Sequence, residues 1–361
     1  MATLTETAYY SRKTIKYGII SLVCFIIFRA VFIFALDEWK KAHPPPPPPA
    51  NKCFGNIPAI KFPEKGTNPP FSPSRETVAS QIPTPPYTFK VFLIPKLTST
   101  FDTWKNAKNW AKKLGFTADP EEPDPYTYIF KTQSFPQTTL KRDVLTDNFF
   151  YGYDYQNDLT LVGKNNAPSK ETAIRDAKAF LTQANVFVQD LVSGTQEIAF
   201  LKFVPPNLEP AISLSEADFT LVNFFRADLD GYKVLPPNPK KSLVSVLVSG
   251  DIDPQKKILE TNYTHYLIKD STFCTYPLKP LEQAWQELEK NQAYLANFGQ
   301  NLDGQVKIRK IYLAYFDPPD HQPYLEPIYV FEGDRDFIAY ISALDPNYTI
   351  SNPQNSVSPT Q

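Results

Sequence analysis

Apolar and polar positions change rhythm several times along this chain. Residues 17–36 read YGIISLVCFIIFRAVFIFAL, an apolar run without a polar face. As a helix at about 1.5 Å per residue it spans ~30 Å, the thickness of a bilayer's hydrocarbon core. Thirteen of its residues are Ile, Leu, Val or Phe, and each favours insertion by roughly 0.3–0.6 kcal/mol. The sum, about 4–8 kcal/mol, exceeds the roughly 2.5–3.5 kcal/mol cost of Arg29 near the centre. The pattern therefore predicts a single transmembrane helix over 17–36. Arg29 is the one candidate partner-binding residue, because an intramembrane charge can pair with a polar group on another membrane helix. Snorkelling to the interface is the competing account of it.

After this run the pattern breaks down. Residues 37–86 are rich in proline, with six in a row at 44–49. They predict a stalk or linker whose polyproline stretch is an extended rod of about 19 Å. Within it the apolar piece 54–63 is expected to dock on the body, and 64–86 to remain linker.

From residue 87 helical and alternating patterns take turns. Unit 1 (87–165) begins with a strand at 88–94 and a helix at 102–114 placing Trp104, Ala107, Ala111 and Leu114 on one face. Strands at 126–131, 139–145 and 148–155 follow. Unit 2 (166–276) opens with Ser169 as an N-cap and a helix at 170–184. Its strands are expected at 198–204, 219–227, 243–249 and 258–267, with Asp230-Gly231 forming a tight turn. Unit 3 (277–345) has a helix at 281–295, then strands at 306–316, 324–331 and 337–344. A flexible tail covers 346–361. Each helix carries the frame apolar-x2-Ala-x3-apolar, with Ala107, Ala177 and Ala284 where a helix lies close on a sheet. The fold class is therefore α+β: one transmembrane helix, then an ectodomain of repeated helix and antiparallel-sheet units.

Charge fixes the orientation. Arg12, Lys13 and Lys16 precede the apolar run against one acid, Glu6, whereas Asp37 and Glu38 offset Lys40 and Lys41 after it. The positive-inside bias places residues 1–16 in the cytoplasm and the remainder outside a cell membrane crossed once. A cleaved signal peptide fits less well, since Ala30 and Ala35 lack the small-x-small spacing of a cleavage site. Net charge is −1 over 361 residues, so there is no basic surplus for nucleic acid. Of the three cysteines, Cys24 lies in the membrane run. Whether Cys53 and Cys274 pair is left open by their positions.

The segments 219–235 (FTLVNFFRADLDGYKVL), 280–288 (PLEQAWQEL) and 308–344 carry a resemblance. Their order of helix and antiparallel strands resembles PepSY-type domains and, more closely, the YycH/YycI family of extracytoplasmic regulators. The likeness covers roughly 170–345 and does not extend to 37–86. It implies a non-enzymatic regulatory or sensory protein that binds another envelope protein, with a sensor histidine kinase as the implied partner. A structural scaffold of the cell envelope is the alternative, and a peptidase inhibitor a third. The long polyproline stalk departs from the family pattern and would hold the body away from a partner's membrane-proximal part.

The sequence offers little chemistry. No HExxH, CxxC, GxSxG or P-loop pattern occurs, and only His43, His265 and His321 are present. The loop Asp317, Asp320, His321 lacks enough ligands for a metal. Asp154, Asn157 and Asp158 lack the glycine and distal glutamate of a calcium loop. His265 is expected to be a hydrogen-bonded sheet residue. Asn262 and Asn347 sit in N-x-T sequons. No catalytic residue, cofactor site or metal site is therefore assigned, and self-association is left open.

Overall fold

The computed structural model describes residues 4–42, 49–64, 66, 69–77, 85–96 and 102–350. The chain divides into two compact units, the first ending at Pro49 and the second beginning at Ala50.

The first unit is one helix, α1 (Leu4–Ala42). Its stretch Arg12–Trp39 has a mean hydropathy of 2.8 over the most apolar window and is long enough to cross a membrane. The helix runs past both expected ends and takes in residues 37–42, which the proline-rich reading placed in the stalk. No proline occurs before residue 44, so nothing in 37–42 breaks the hydrogen-bond ladder. Five of the six consecutive prolines, and His43, lie outside the described residues.

In the second unit the strands β1 (Ile57–Pro58), β2 (Ser72–Arg75) and β3 (Thr88–Leu93) precede helix α2 (Thr103–Lys113). The run β4 (Glu121–Asp124), β5 (Thr127–Lys131), β6 (Thr138–Asp143) and β7 (Phe149–Tyr153) follows. Helices α3 (Lys170–Gln183) and α4 (Gln189–Val192) lead into β8 (Gln196–Val204), β9 (Asn207–Pro210), β10 (Phe219–Phe224) and β11 (Val234–Leu235). Next come β12 (Val244–Ser249), β13 (Ile258–Tyr263), β14 (Lys269–Pro277) and α5 (Leu281–Glu289). The described chain ends with β15 (Tyr294–Asn297), β16 (Gln305–Phe316), β17 (Tyr324–Leu325), β18 (Pro327–Gly333), β19 (Ile338–Ser342) and β20 (Thr349–Ile350).

Two sheets dominate. One has nine strands in the order β4-β5-β6-β7-β13-β12-β10-β8-β9, the other six, with β11-β16-β18-β19-β15 in line and β2 also on β16. A three-stranded sheet, β14-β3-β17, and a parallel β1-β20 pair complete the set. Helices α2 and α3 cover one face of the nine-stranded sheet, burying Ala107, Trp110, Ala173, Ala177 and Leu181 against Phe149, Val222 and Val246. The Trp110 indole N–H reaches the Ala184 carbonyl at 2.6 Å, tying the two helices together. Helix α5 covers the six-stranded sheet through Leu281, Ala284, Trp285 and Leu288. The three frame alanines are thus buried, and their small side chains let each helix approach its sheet. Trp104, expected on the inner face of α2, is instead 39% exposed.

Several expectations are corrected. Strand pairing crosses the internal boundaries: β7 of the first expected unit pairs with β13 of the second, and β3 joins β14 to β17 of the third. The apolar piece 54–63 docks on the body as expected, with Ile57 and Ile60 buried, but the body also takes in residues 50–53 before it. Phe71 is buried as well, and β2 pairs in parallel with the start of β16, so part of the expected linker 64–86 is a strand. The third helix stops at Glu289, since Asn291 adopts φ 57° and residues 294–297 join β19 as a strand. Residues 346–350 of the expected tail are held by the pairing of β20 with β1. The last strand of the second unit ends at Tyr263 rather than 267, and β14 and β9 had no counterpart in the sequence reading.

Candidate functional site

At the junction of the two large sheets lies a buried charge cluster built around Arg226. This residue follows β10, whose run FTLVNF is almost wholly buried and carries the guanidinium inward at its end. Nε donates to Asp317 Oδ2 at 3.0 Å, Nη1 to Asp190 Oδ2 at 2.9 Å, and Nη2 to the Tyr266 carbonyl at 2.8 Å. Asp317 sits just past the end of β16, its backbone N–H held by the Leu235 carbonyl, so the Arg226–Asp317 pair links one large sheet to the other. Asp190 comes from α4 and also meets His265 Nε2 at 2.8 Å. The His265 backbone N–H donates to Asn148 Oδ1.

Burial sets the protonation of this cluster. It pushes the Asp317 carboxyl above the usual range despite Arg226, and Asp317 Oδ1 has no hydrogen-bond partner. For His265, burial and then Arg226 push the imidazole below its ordinary value, against the pull of Asp190. At Asp190 burial acts upward, but His265 and Arg226 outweigh it and hold the carboxyl low. The arrangement sets a guanidinium between two carboxyl groups, one of which also meets an imidazole. A His–Asp pair can serve as the base of a nucleophile, yet among the described residues no hydroxyl or thiol hydrogen-bonds His265. The nearby Ser242 hydroxyl is engaged by the Val244 carbonyl and Asn223.

A cleft of about 620 Å³ opens against this cluster. Arg226, Lys233, Glu197, Asp228, Tyr312 and Glu332 contribute its polar lining. The Tyr312 hydroxyl donates to Glu332 at 2.5 Å, and burial together with that carboxylate pushes the phenol far up. Such a cleft can hold a chain or a small polar molecule, and its polar groups can orient it.

The structure disperses the other residues that the sequence singled out. Arg29 lies within α1 with its side chain exposed. Asp317 turns inward to Arg226, while His321 packs edge-on to Tyr266 with 5.5 Å between ring centroids, so the 317–321 loop does not converge on one point. Asp158 is buried and bonded by Lys256 at 2.6 Å, by the Tyr153 hydroxyl at 2.6 Å and by Thr160. Burial acts upward on its carboxyl, but these three bonds hold it far below the usual range. Among the described residues no three His, Cys, Asp or Glu side chains are grouped to hold a metal ion. Asn262 and Asn347 are both exposed. Cys53 and Cys274, left unassigned from sequence, form a disulfide with a Cα–Cα distance of 5.6 Å. It ties the segment that follows α1 to β14. Arg226 and Asp190 were missed, although an arginine ending an apolar run such as FTLVNFF was a readable signal.

The fold and site define an α+β protein with one N-terminal helix long and apolar enough to span a membrane, followed by a sheet-rich body whose two main sheets meet at a buried arginine. No family model matches the chain, and no curated protein matches it. Among solved structures it is similar to an uncharacterized protein from Eubacterium rectale, at 13% identity over 71% of this chain and 83% of that one, with a TM-score of 0.34. A likeness so distant carries no argument about function.

Proposed function

We propose that this chain is a membrane-anchored, non-catalytic extracytoplasmic protein that regulates or senses by binding another envelope protein. The observation that carries the reading is the Cys53–Cys274 disulfide. Disulfides form and persist mainly in oxidising compartments, which supports a body on the outer side of the membrane. The cluster Arg12, Lys13, Lys16 before the apolar helix supports the same side by an independent rule. Against catalysis stands the engagement of the most polar site: every nitrogen of Arg226 is bonded within the protein, and His265 faces a carboxylate rather than a nucleophile. The buried Ala107, Ala177 and Ala284 support the finer reading of repeated PepSY-like helix-on-sheet units. A sensor histidine kinase is the partner that the YycH/YycI resemblance suggests.

The test is cross-linked recovery from native membranes, comparing the wild-type chain with one whose α1 is replaced by an unrelated apolar helix. The proposal expects an envelope signalling protein with the wild-type chain, and reduced recovery after the swap if Arg29 contributes inside the membrane. Recovery of no envelope protein by either chain contradicts it.

A further inference from the structure

The body concentrates its most exposed apolar side chains in one place. Among its described residues, five large apolar side chains are at least 79% exposed: Phe135, Leu159, Ile212, Ile252 and Leu302. All but Leu302 stand on loops at one end of the nine-stranded sheet. The strand registers fix this placement. Thr138 lies opposite Tyr153, Gly152 opposite Glu260, Ile258 opposite Val248 and Ser249 opposite Phe219. The turn before β6, the loop after β7, the loop between β12 and β13 and the loop into β10 therefore leave the sheet at the same end. They carry Phe135, Leu159, Ile252 and Ile212 respectively. Adjacent strands lie about 4.8 Å apart, so the four tips are strung across roughly 20 Å. Val204, the last residue of β8 at that end, is exposed as well.

The undescribed stretches are flanked by α1, β1, β2, β3, β20 and the start of α2, and none of those strands belongs to this sheet. Helix α2 reaches the loop end with its last residues, where Gly115 and Phe116 stand beside Lys131 and Thr132, so its first turn lies away from the tips. The character of the tips selects what they meet. Strand ends offer no open ladder for a second copy or a partner strand to extend. Short polar residues set the tips apart: Ser134, Asn157, Thr160, Ser213, Asp251 and Asp253. Apolar side chains separated in this way do not form the contiguous core of a protein interface. A bilayer interface is fluid and accepts each of them singly. Charge around the tips is close to balanced, with Lys164 and Lys202 exposed against Asp253 and Glu216, so anionic lipid is not required. Once the apolar helix α1 is inserted, lipid is also present at high local concentration.

We propose that this end of the nine-stranded sheet docks on a lipid bilayer, with Phe135, Leu159, Ile212 and Ile252 immersed in its interface. The strands then stand end-on to the lipid surface. This contact is separate from α1 and goes beyond the partner-binding reading. Burial of the four apolar tips supplies the affinity.

The test uses the full-length chain in phosphatidylcholine nanodiscs, with and without added phosphatidylcholine vesicles. Cys24→Ser removes the one free thiol. A nitroxide label is then placed through Ile212→Cys, Ile252→Cys or, as control, Leu302→Cys. Labels at 212 and 252 should be open to oxygen and shielded from a water-soluble nickel chelate, in the nanodiscs alone or on adding vesicles. The label at 302, equally exposed but outside the loop set, should stay open to the chelate. Introducing Ile212→Asp into the chain labelled at 252 should lower the immersed fraction by about tenfold, because a carboxylate is costly to bring into lipid. Position 212 is 95% exposed, so this variant should keep the wild-type unfolding midpoint. Labels at 212 and 252 that remain as open to the chelate as the one at 302, under both conditions, overturn the proposal. So does immersion that Ile212→Asp leaves unchanged. Spin–spin broadening between labels without shielding by lipid also overturns it, since a second copy then covers the tips.

Discussion

Arg226 ties three separate parts of the body together through its guanidinium. Its side chain is 4% exposed, and it bonds groups 36 and 91 residues away. Removing one partner of such a pair strands the other charge in a poorly solvated place, which costs about 3–5 kcal/mol. Arg226→Leu should therefore lower stability by that order in chemical denaturation, and adding Asp317→Leu should recover part of the loss. Neither this arginine nor its partners was legible as a cluster, because the sequence separations hide the contact.

Glu326 makes a second test at this scale. It is 3% exposed, its Oε2 has no partner, and burial alone raises its carboxyl well above the ordinary value. A raised carboxyl means that the folded state keeps a proton the unfolded state has released. That contribution is full below the ordinary glutamate range and is lost as pH rises through the folded value. Glu326→Gln should thus gain on the wild type as pH increases from 5 to 8, read as the difference in unfolding midpoints. For His265 the shift is downward, so its contribution is present above the ordinary histidine value and lost as pH falls below it. His265→Gln should flatten the loss of stability between pH 7 and 5.

Among the elements, helices with both a cap and a buried stripe were readable from sequence. Ser169 was assigned as an N-cap, and its hydroxyl accepts from the Thr172 N–H. Ser169→Ala should cost about 1 kcal/mol in thermal unfolding. Periodicity misled where a single backbone angle decides: LEQAWQELEKNQAYL keeps helical spacing through Leu295, but Asn291 at φ 57° ends the helix and frees a strand. Strand β14, KDSTFCTYP, was missed because its first half is exposed and polar. The Asp230-Gly231 turn was readable, and both residues take positive φ. Proline concealed the rest. Within the expected stalk the apolar piece 54–63 docks on the body as read, through Ile57 and Ile60, but the buried Phe71 and strand β2 were hidden by the prolines around them. Replacing Cys53 and Cys274 by serine should lower stability by about 2–5 kcal/mol, given the 221-residue separation that the bond closes.

At the scale of the whole molecule, hydropathy made legible a helix long and apolar enough to cross a membrane, and strand patterning the α+β class. Sheet membership was not legible. Helix–strand order suggested three successive units, whereas pairing such as β13 with β7 and β3 with β17 joins strands far apart in the chain. Such pairings are chosen by complementary buried faces, which a local pattern does not encode. The candidate site inherits this limit, since Arg226, Asp190, His265 and Asp317 are brought together from distant segments of the chain.

The central claim is that the α1 helix anchors the chain and displays the stapled body outside the membrane. Adding protease to intact cells that carry a short epitope at the N-terminus tests it most directly. The account predicts that fragments of the body are released while the epitope stays protected until lysis; a body that resists protease until the cells are opened would contradict it.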